Sequence, residues 1–276
     1  MLGADSGHVP EELPDWVPED VDVTVPNAAR MYDHLLGGYH NFAVDREYVE
    51  RLELTFPGTR PAVYANRAFL GRAIRWLVSV EIRQFLDIGS GIPTLGNVHE
   101  IVEEVAPSGR VMYVDIDPVA VAHARSMLLK NQRVGVLQAD LHRPAEILGH
   151  PDVVELLDFS EPTAVVLSSV LHFISDDDDP RGIITQFRDA LVSGSYIVVS
   201  HGTQIAELAE AQESTRRLYQ RTPTPANFRS REQVAQLLTG LDLVEPGIVP
   251  VADWRPDPDE GAKPLPVLLA AVARMP

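Results

Sequence analysis

The residues best suited to chemistry lie where two apolar runs end. The first run ends in Asp87, Gly89 and Gly91, and the two glycines form a turn without Cβ atoms that lets a ligand approach the backbone closely. The second run ends in Asp115, which Ile116 follows. At the carboxyl edge of a doubly wound sheet, an acid in this position can accept hydrogen bonds from the two hydroxyls of a ribose. The two run ends therefore indicate a cofactor that contains a nucleoside.

Two common classes of nucleotide site do not fit this glycine turn. A phosphate-binding loop of the Walker type needs a Gly-Lys pair, and the chain contains none. The dinucleotide pattern Gly-x-Gly-x-x-Gly is also missing, because the next glycine after Gly91 is Gly96. Neither Lys130 nor Lys263 has a tyrosine four residues earlier, as short-chain dehydrogenases require. A nicotinamide oxidoreductase is therefore disfavoured.

Two histidines follow later apolar runs and are the candidates for catalysis. His172 comes shortly after the run that contains Ser168, and His201 follows the run 196–200. Both are expected at the carboxyl edge of the sheet, where an imidazole could remove a proton from an acceptor. The alternative is that each is a hydrogen-bonded histidine of the pocket or the core.

Four consecutive acids, 176–179, precede Pro180 and could suggest a cation site. Metal sites need ligands from converging elements, whereas this run is contiguous. We therefore predict a solvated loop that caps the helix after Pro180, and we predict no metal site.

The elements that must position these residues alternate along the chain after residue 83. We place strands near 83–88, 111–115, 133–138, 163–169 and 195–200, and helices near 94–106, 118–130, 180–191, 204–220 and 230–239. This alternation is typical of a parallel sheet with crossover helices. Two later runs, 241–251 and 267–273, are predicted to form a closing pair of strands.

The chain before residue 83 shows no strand pattern. Residues 1–25 mix prolines with acids and are predicted to form an extended arm. Residues 26–80 are predicted to form a helical cap, with Asn27 as the first N-cap and Gly37-Gly38 as a stop or hinge. Residues 81–276 would then form the cofactor-binding domain.

Composition limits the partners and the location. The formal net charge is −17, which disfavours nucleic acid, since its binding draws on clustered Lys and Arg. No apolar run is long enough to span a membrane, and the acidic N-terminal stretch lacks the features of a signal peptide. The chain has no cysteine, so we expect a cytoplasmic protein without disulfides. Nothing in the sequence indicates an oligomeric state.

A longer set of motifs resembles a known family. The motifs of class I methyltransferases are similar to three parts of the chain: Asp87-x-Gly89-x-Gly91, Asp115, and the segment 138–141. The segment 27–46 is similar to the N-terminal signature of the actinobacterial "S-adenosyl methyltransferase" family, long catalogued as a domain of unknown function. The resemblance covers about residues 20–275. It implies a Rossmann-like α/β fold with a seven-stranded, mostly parallel sheet, an N-terminal helical cap, and S-adenosylmethionine as cofactor.

The resemblance also implies roles for individual residues. Asp140 would accept the adenine amino group while the backbone N–H of Leu141 meets a ring nitrogen. Asp87 would either face the methionine ammonium or help to hold the glycine turn. Arg30 and Arg67 either bind the carboxylate of the cofactor or pair with nearby acids. Tyr32, in the polar and aromatic segment 32–42, would line the cofactor site and help to choose the acceptor.

One departure concerns the glycine turn. Pro93 stands where many methyltransferases carry a third glycine, and we expect it to set the first helical turn before Thr94.

The sequence thus predicts a methyltransferase that acts on a small molecule. The alternative is a binding or regulatory protein that senses S-adenosylmethionine or S-adenosylhomocysteine without catalysis.

Overall fold

The computed structural model describes residues 21–94, 96–220, 222, 224–258 and 263–276. Residues 1–20 of the predicted extended arm lie outside the described residues, and residues 21–25 form no helix or strand. The predicted start of the first helix is confirmed, because the side chain of Asn27 accepts a hydrogen bond of 2.7 Å from the backbone N–H of Ala29.

Ten α-helices are present in the described part of the chain. They are α1 (Ala28–Leu35), α2 (Ala43–Thr55), α3 (Thr59–Ser79), α4 (Val98–Val105), α5 (Pro118–Leu128), α6 (Pro144–Leu148), α7 (Pro151–Leu156), α8 (Pro180–Ala190), α9 (Ala209–Tyr219) and α10 (Arg231–Leu237). The helices α6 and α7 have no counterpart among the predicted ones. Each is at most six residues long, too short for a 3.6-residue period to be visible in the sequence.

The strands form one mixed sheet. They are β1 (Gln84–Ile88), β2 (Arg110–Asp115), β3 (Val134–Gln138), β4 (Thr163–Ser168), β5 (Tyr196–Gly202), β6 (Asp242–Leu243), β7 (Val249–Pro250) and β8 (Leu268–Arg274). The order is β3-β2-β1-β4-β5-β8-β6, with β7 also paired to β8. The first five strands are parallel, and β8 runs antiparallel to β5. The mostly parallel α/β sheet is confirmed.

The sheet has eight strands because the run 241–251 is divided. Pro246 has no N–H to donate to a ladder, and Gly247 turns the chain at φ +84°, where its N–H bonds to the Val244 carbonyl at 2.8 Å. The run therefore pairs with β8 as two short strands, β6 and β7.

The core lies on both faces of the sheet, because successive strand residues point in opposite directions. Phe85 and Val166 belong to a buried cluster with α3, α4 and α5, whereas Leu86 and Val165 belong to a second cluster with α6, α7, α8 and α10. The domain is thus a three-layer α/β/α sandwich. Its order places the carboxyl ends of β1, β2 and β4 side by side at the point where the strand order reverses.

The helices that stand over this edge form a separate apolar cluster. Met31, Leu35 and Leu52 from α1 and α2 pack there with Val63 from the start of α3 and with Tyr219 at the end of α9. We use the term cap for α1, α2, the first turn of α3 and the end of α9. The rest of α3 packs on the sheet beside α4.

The start of α4 differs from the prediction. The helix begins at Val98, after the N-cap Asn97, and not at residue 94. Pro93 therefore does not set a first helical turn. Thr94 instead directs its hydroxyl to Asp33 of α1, and Gly96 adopts φ +62° before the helix starts.

Among the described residues, no helix combines the length and the apolar character needed to cross a membrane.

Candidate active site

A cavity of about 540 Å³ opens where the carboxyl ends of the central strands face the cap. The sheet edge contributes most of the residues predicted to bind a cofactor, and all of these line the cavity: Asp87, Gly89, Gly91, Asp115, Ile116, Asp140, Leu141 and Ser168. Tyr32 and Arg67 line it from the helical side. The volume is in the usual range of about 300–1,000 Å³ for small-molecule sites.

The glycine turn is held tightly between two strands. The N–H groups of Gly89 and Ser90 both donate to the Val114 carbonyl, at 2.8 and 3.2 Å. Gly89 has φ +68°, and a Cβ atom there would lie only 2.4 Å from a methyl carbon of Val170. A side chain at this position is therefore excluded both by the backbone and by the neighbouring loop.

Asp115 closes the turn from the end of β2. Its Oδ2 accepts the N–H of Gly91 at 2.7 Å, and its Oδ1 accepts the N–H of Asp117 at 2.9 Å. Since a carboxylate has about four acceptor positions, lone pairs remain on both oxygens for a ligand. Burial raises the pKa of Asp115 to about 6, although the backbone donors oppose this shift. The arrangement fits the expected ribose contact.

The two residues that follow Asp115 have different roles. Oδ1 of Asp117 accepts the N–H groups of Val119 and Ala120, so this carboxylate is the N-cap of α5. The side chain of Ile116 is 55% exposed although it is apolar, and it lines the cavity. An exposed aliphatic side chain there offers a surface on which a flat base can pack.

Asp87 and Arg67 both line the cavity and attract each other electrostatically. Burial raises the pKa of Asp87 to about 7, while the positive charge of Arg67 opposes the shift and the negative charge of Asp115 adds to it. Nε of Arg67 is buried and has no hydrogen-bond partner among the described residues, and its guanidinium lies 5.4 Å from the ring centre of Tyr32. Arg67 therefore retains donors for an anionic group of a ligand.

Arg30 does not line the cavity. The structure supports the second expectation for this residue, that it pairs with a nearby acid. Its Nε lies 3.2 Å from Oδ2 of Asp45, and Nη2 donates to the carbonyl of Val25 at 2.5 Å. The guanidinium also stacks over Phe42, at 5.1 Å. Both Arg30 and Asp45 are buried, so their charges compensate each other inside the cap.

Asp140 follows β3 and has a neighbour that the sequence did not single out. Its Oδ1 accepts both the N–H and Nδ1–H of His142, at 2.9 and 2.7 Å. Oδ2 of Asp140 has no hydrogen-bond partner among the described residues, and the cavity is lined by Asp140, Leu141 and His142 together. This arrangement leaves one carboxylate oxygen available to an amino group.

Ser168 belongs to a small polar network centred on Asn66, which was also not predicted. Nδ2 of Asn66 donates to the hydroxyl of Tyr32 at 2.9 Å and to Oγ of Ser168 at 3.2 Å. Asn66 is buried, and its Oδ1 has no partner among the described residues. The network joins α1, α3 and β4 behind the cavity wall.

His201 is not available as a base, which corrects the prediction. A guanidinium only donates and a carbonyl only accepts, so the contacts with Arg229 (2.9 Å at Nε2) and with the Gly202 carbonyl (2.7 Å at Nδ1) fix one neutral tautomer and occupy both nitrogens. Burial lowers the pKa of His201 to about 4, and Arg229 adds to this. The side chain is fully buried and does not line the cavity.

Arg229 explains why His201 is fixed. Its guanidinium donates to the carbonyls of Leu171 (3.1 Å) and Ile174 (2.8 Å) and to Asp176 (2.7 Å) as well as to His201. One buried side chain thus holds the loop after β4. No sequence pattern singles out Arg229, which follows α9 and lies far along the chain from this loop.

His172 does line the cavity. Its Nδ1 accepts the N–H of Gly202 at 3.4 Å, which places the ring proton on Nε2, and Nε2 has no partner among the described residues. Burial lowers the pKa of His172 to about 3, with further contributions from His201 and Arg229. His172 is therefore neutral near pH 7, a weak base but an available hydrogen-bond donor.

The last residue of the acidic run 176–179 caps the following helix, as predicted. Oδ1 of Asp179 accepts the N–H of Gly182 at 2.9 Å and caps α8, while Asp176 pairs with Arg229. No group of three or more His, Asp or Glu side chains within the described ranges is arranged to hold a metal ion.

The family described as S-adenosyl methyltransferase matches residues 14–276. The chain belongs to the S-adenosyl methyltransferase family. S-adenosylmethionine is accordingly its cofactor, as the motifs of the sheet edge predicted. None of the curated proteins matches the chain.

Two solved structures of similar proteins carry the same fold. A protein from Thermobifida fusca that was assigned as a methyltransferase is 37% identical, covers 95% of this chain and 99% of its own, and superposes with a TM-score of 0.88. A DUF574 family protein from Streptomyces avermitilis is 36% identical, covers 92% of this chain and 99% of its own, and has a TM-score of 0.86. The family resemblance seen in the sequence is thereby confirmed.

Proposed function

We propose that this S-adenosyl methyltransferase family member catalyses methyl transfer to a small molecule that binds beside His172. The observation that carries the proposal is the continuity of the cavity. It runs from the glycine turn and Asp115 past Val170 and His172 to Phe173 and the cap. A protein that only sensed the nucleoside would need the first part alone, so the second part supports catalysis over the regulatory alternative.

The chain's residues fit the cofactor at three places. Asp115 would accept the ribose hydroxyls, Asp140 and the N–H of Leu141 would contact the adenine, and Asp87 with Arg67 would hold the amino-acid end by opposite charges. The pKa of Asp87, about 7, means that a bound ammonium would favour the ionised carboxylate. S-adenosylmethionine supplies an electrophilic methyl group on a sulfonium.

The chain's own contribution to the reaction would be alignment and exclusion of water. In-line displacement at a sulfonium needs the two reacting groups held in contact, because the bond from sulfur to the methyl group breaks as the bond to the acceptor forms. The positive charge passes to a neutral acceptor, which then gives its proton to water. The cap covers the cavity with apolar side chains, and His172 would orient the acceptor through Nε2–H. A pKa of about 3 makes His172 unsuited to general-base catalysis near neutral pH.

Two measurements test the proposal. Calorimetry with S-adenosylmethionine, S-adenosylhomocysteine, NAD and ATP should give binding of the first two only. Incubation of the protein and S-adenosylmethionine with fractionated small molecules from an actinobacterial extract should then release S-adenosylhomocysteine in some fractions. The His172→Ala variant should bind the cofactor normally and release less product. Tighter binding of NAD than of S-adenosylhomocysteine would refute the cofactor assignment.

A further inference from the structure

We propose that the part of the cavity beneath the cap selects an uncharged, largely apolar acceptor that contains a ring system, and rejects acceptors that carry a phosphate, carboxylate or ammonium group. The inference rests on the proposed function, since it names the substrate class of the same site. We define the acceptor lobe by six of its lining residues: Leu52, Phe56, Val63, Phe173, Tyr219 and Phe228.

The charged side chains of the cavity lie at the carboxyl edge of the sheet or interact with a residue of that edge. The described lining contains five charged side chains, namely Arg67, Asp87, Asp115, Asp117 and Asp140. Four of them belong to the ends of β1, β2 and β3 or to the residues just after them, and Arg67 interacts with Asp87. The remaining described lining has no Asp, Glu, Lys or Arg. A charged acceptor in the lobe would lose its hydration without gaining a counter-charge from the described lining.

Aromatic rings from three separate segments form the wall of the lobe. The rings of Phe173 and Tyr219 lie 5.7 Å apart, and those of His172 and Phe173 lie 4.3 Å apart. Phe228 packs over Gly202, where a Cβ atom would come within 2.9 Å of its ring. Rings spaced in this way can contact the faces and edges of a flat ligand.

The helices α2 and α3 also line the lobe with apolar side chains. Leu52 and Val63 belong to the buried apolar cluster against which Tyr219 packs. Phe56, at the end of α2, adds a third apolar side chain to the lobe. The lobe would therefore contact its ligand mainly through carbon atoms.

The polar groups of the lobe are few, and they are uncharged. Gln212 already donates to the carbonyl of Thr203 at 2.6 Å and accepts the N–H of Ile205 at 3.0 Å. Burial raises the pKa of Tyr219 to about 12, so its hydroxyl stays protonated. Oγ1 of Thr224 is buried without a hydrogen-bond partner among the described residues. Together with His172, these groups can satisfy one or two neutral polar atoms of a ligand, and no ion.

Three probes of one shape and different charge test the inference: 1-naphthol, 1-naphthyl phosphate and 1-naphthylmethylamine. The full chain is saturated with S-adenosylhomocysteine and titrated with each probe at neutral pH. We expect 1-naphthol to bind at least about tenfold more tightly than either charged probe, because the lobe residues that the structure describes offer no charge to compensate a buried ion. Equal or weaker affinity for 1-naphthol, or no binding of it, would overturn the inference.

Variants locate the binding in the lobe. Tyr219→Ala and the milder Phe173→Leu should each weaken 1-naphthol binding about three- to tenfold through lost ring contacts. Tyr39→Ala is the matched control, since Tyr39 is 89% exposed and does not line the cavity. The affinity for S-adenosylhomocysteine, measured in each variant, reports whether the fold and the cofactor side are intact. Unchanged 1-naphthol binding in both lobe variants would contradict the assignment.

The cofactor titration also separates the two proposals. If S-adenosylhomocysteine fails to bind while the probes, added alone, still show the preference for 1-naphthol, the proposed function fails and the chemistry of the lobe stands. If S-adenosylhomocysteine binds and the charged probes bind as tightly as 1-naphthol, the inference about the acceptor fails alone.

Discussion

Oδ1 of Asp33 accepts a hydrogen bond from Oγ1 of Thr94 at 2.5 Å, which ties the cap to the loop that follows the glycine turn. Oδ2 of the same carboxylate accepts the N–H of His40 and Nδ2–H of Asn41, both at 2.9 Å. Gly38 is required beside it, since a Cβ atom there would lie 2.0 Å from Oδ1. The pair therefore couples the position of the cap to that of the cofactor turn.

Breaking this pair should weaken cofactor binding without unfolding the protein. Thr94→Val removes the hydroxyl donor to buried Asp33, and we expect a loss of about 1–3 kcal/mol of unfolding free energy with weaker S-adenosylhomocysteine binding. Denaturant unfolding and calorimetry measure the two effects. Thr239→Val is the control, because Thr239 is an exposed residue in the turn that follows α10. Wild-type cofactor affinity in Thr94→Val would show that the tie does not serve the site.

Removal of the carboxylate of Asp115 should weaken cofactor binding by about 1–3 kcal/mol, the range for charge-assisted hydrogen bonds. Part of the loss would come from the turn itself, since the N–H of Gly91 loses its acceptor. Calorimetry on Asp115→Ala checks this, with Asp152→Ala as a matched control whose side chain is 62% exposed. An unchanged dissociation constant in a folded Asp115→Ala variant would refute the ribose contact.

The affinity for S-adenosylmethionine should rise with pH. Burial raises the pKa of Asp87 to about 7 and that of Asp115 to about 6, so both are more protonated in the free protein than ordinary carboxyl groups. Because the cationic cofactor prefers ionised carboxylates, binding should weaken as pH falls through this interval, by up to about tenfold per pH unit and per group. Calorimetry across the interval measures it. Asp87→Asn should flatten the profile, and an equally steep profile in that variant would exclude Asp87.

The same raised pKa values should make the stability of the ligand-free protein fall with rising pH, opposite to the cofactor affinity. A carboxyl group whose pKa is higher in the folded than in the unfolded state contributes stability that is complete below the unfolded value. That contribution is lost as pH rises through the folded value. We expect the stability from these two groups to decline up to about pH 7, and saturating cofactor should reduce the decline.

Replacement of His201 should affect stability and leave cofactor binding intact. His201→Ala leaves Arg229 with one buried donor unpaired, and we expect a loss of about 1–3 kcal/mol in unfolding free energy. His172→Ala changes a residue of the cavity wall, so this variant should lose less stability than His201→Ala and should release less product. If His201→Ala abolished turnover at unchanged stability, the structural role of His201 would be wrong.

The sequence predicted the sheet well because its strands are apolar runs separated by clear turn signals. Asp115 could be placed at a strand end for the same reason, since a parallel sheet brings successive strand ends to one edge. Short elements were missed: α6 and α7 show no period, and Pro246 and Gly247 divide the run 241–251 into two short strands.

The histidines and arginines show where prediction from sequence ends. His172 and His201 both follow strands, and only the distant Arg229 distinguishes them by occupying Nε2 of His201. Arg30 and Arg67 are likewise two arginines on cap-side helices with no distinguishing local pattern, yet Arg30 pairs with Asp45, whereas Arg67 has no ion pair with an acid among the described residues. Such outcomes depend on tertiary neighbours, which no local pattern records.

The hydrogen bonds of Arg229 also constrain how this family can vary. Two carbonyls, one carboxylate and one imidazole share a single planar guanidinium, and a lysine could supply neither the fork geometry nor enough donors. Asp176 and His201 depend on the same side chain although they lie on different elements. Among natural relatives, positions 176, 201 and 229 should therefore be inherited as a set, with substitutions at one accompanied by substitutions at the others.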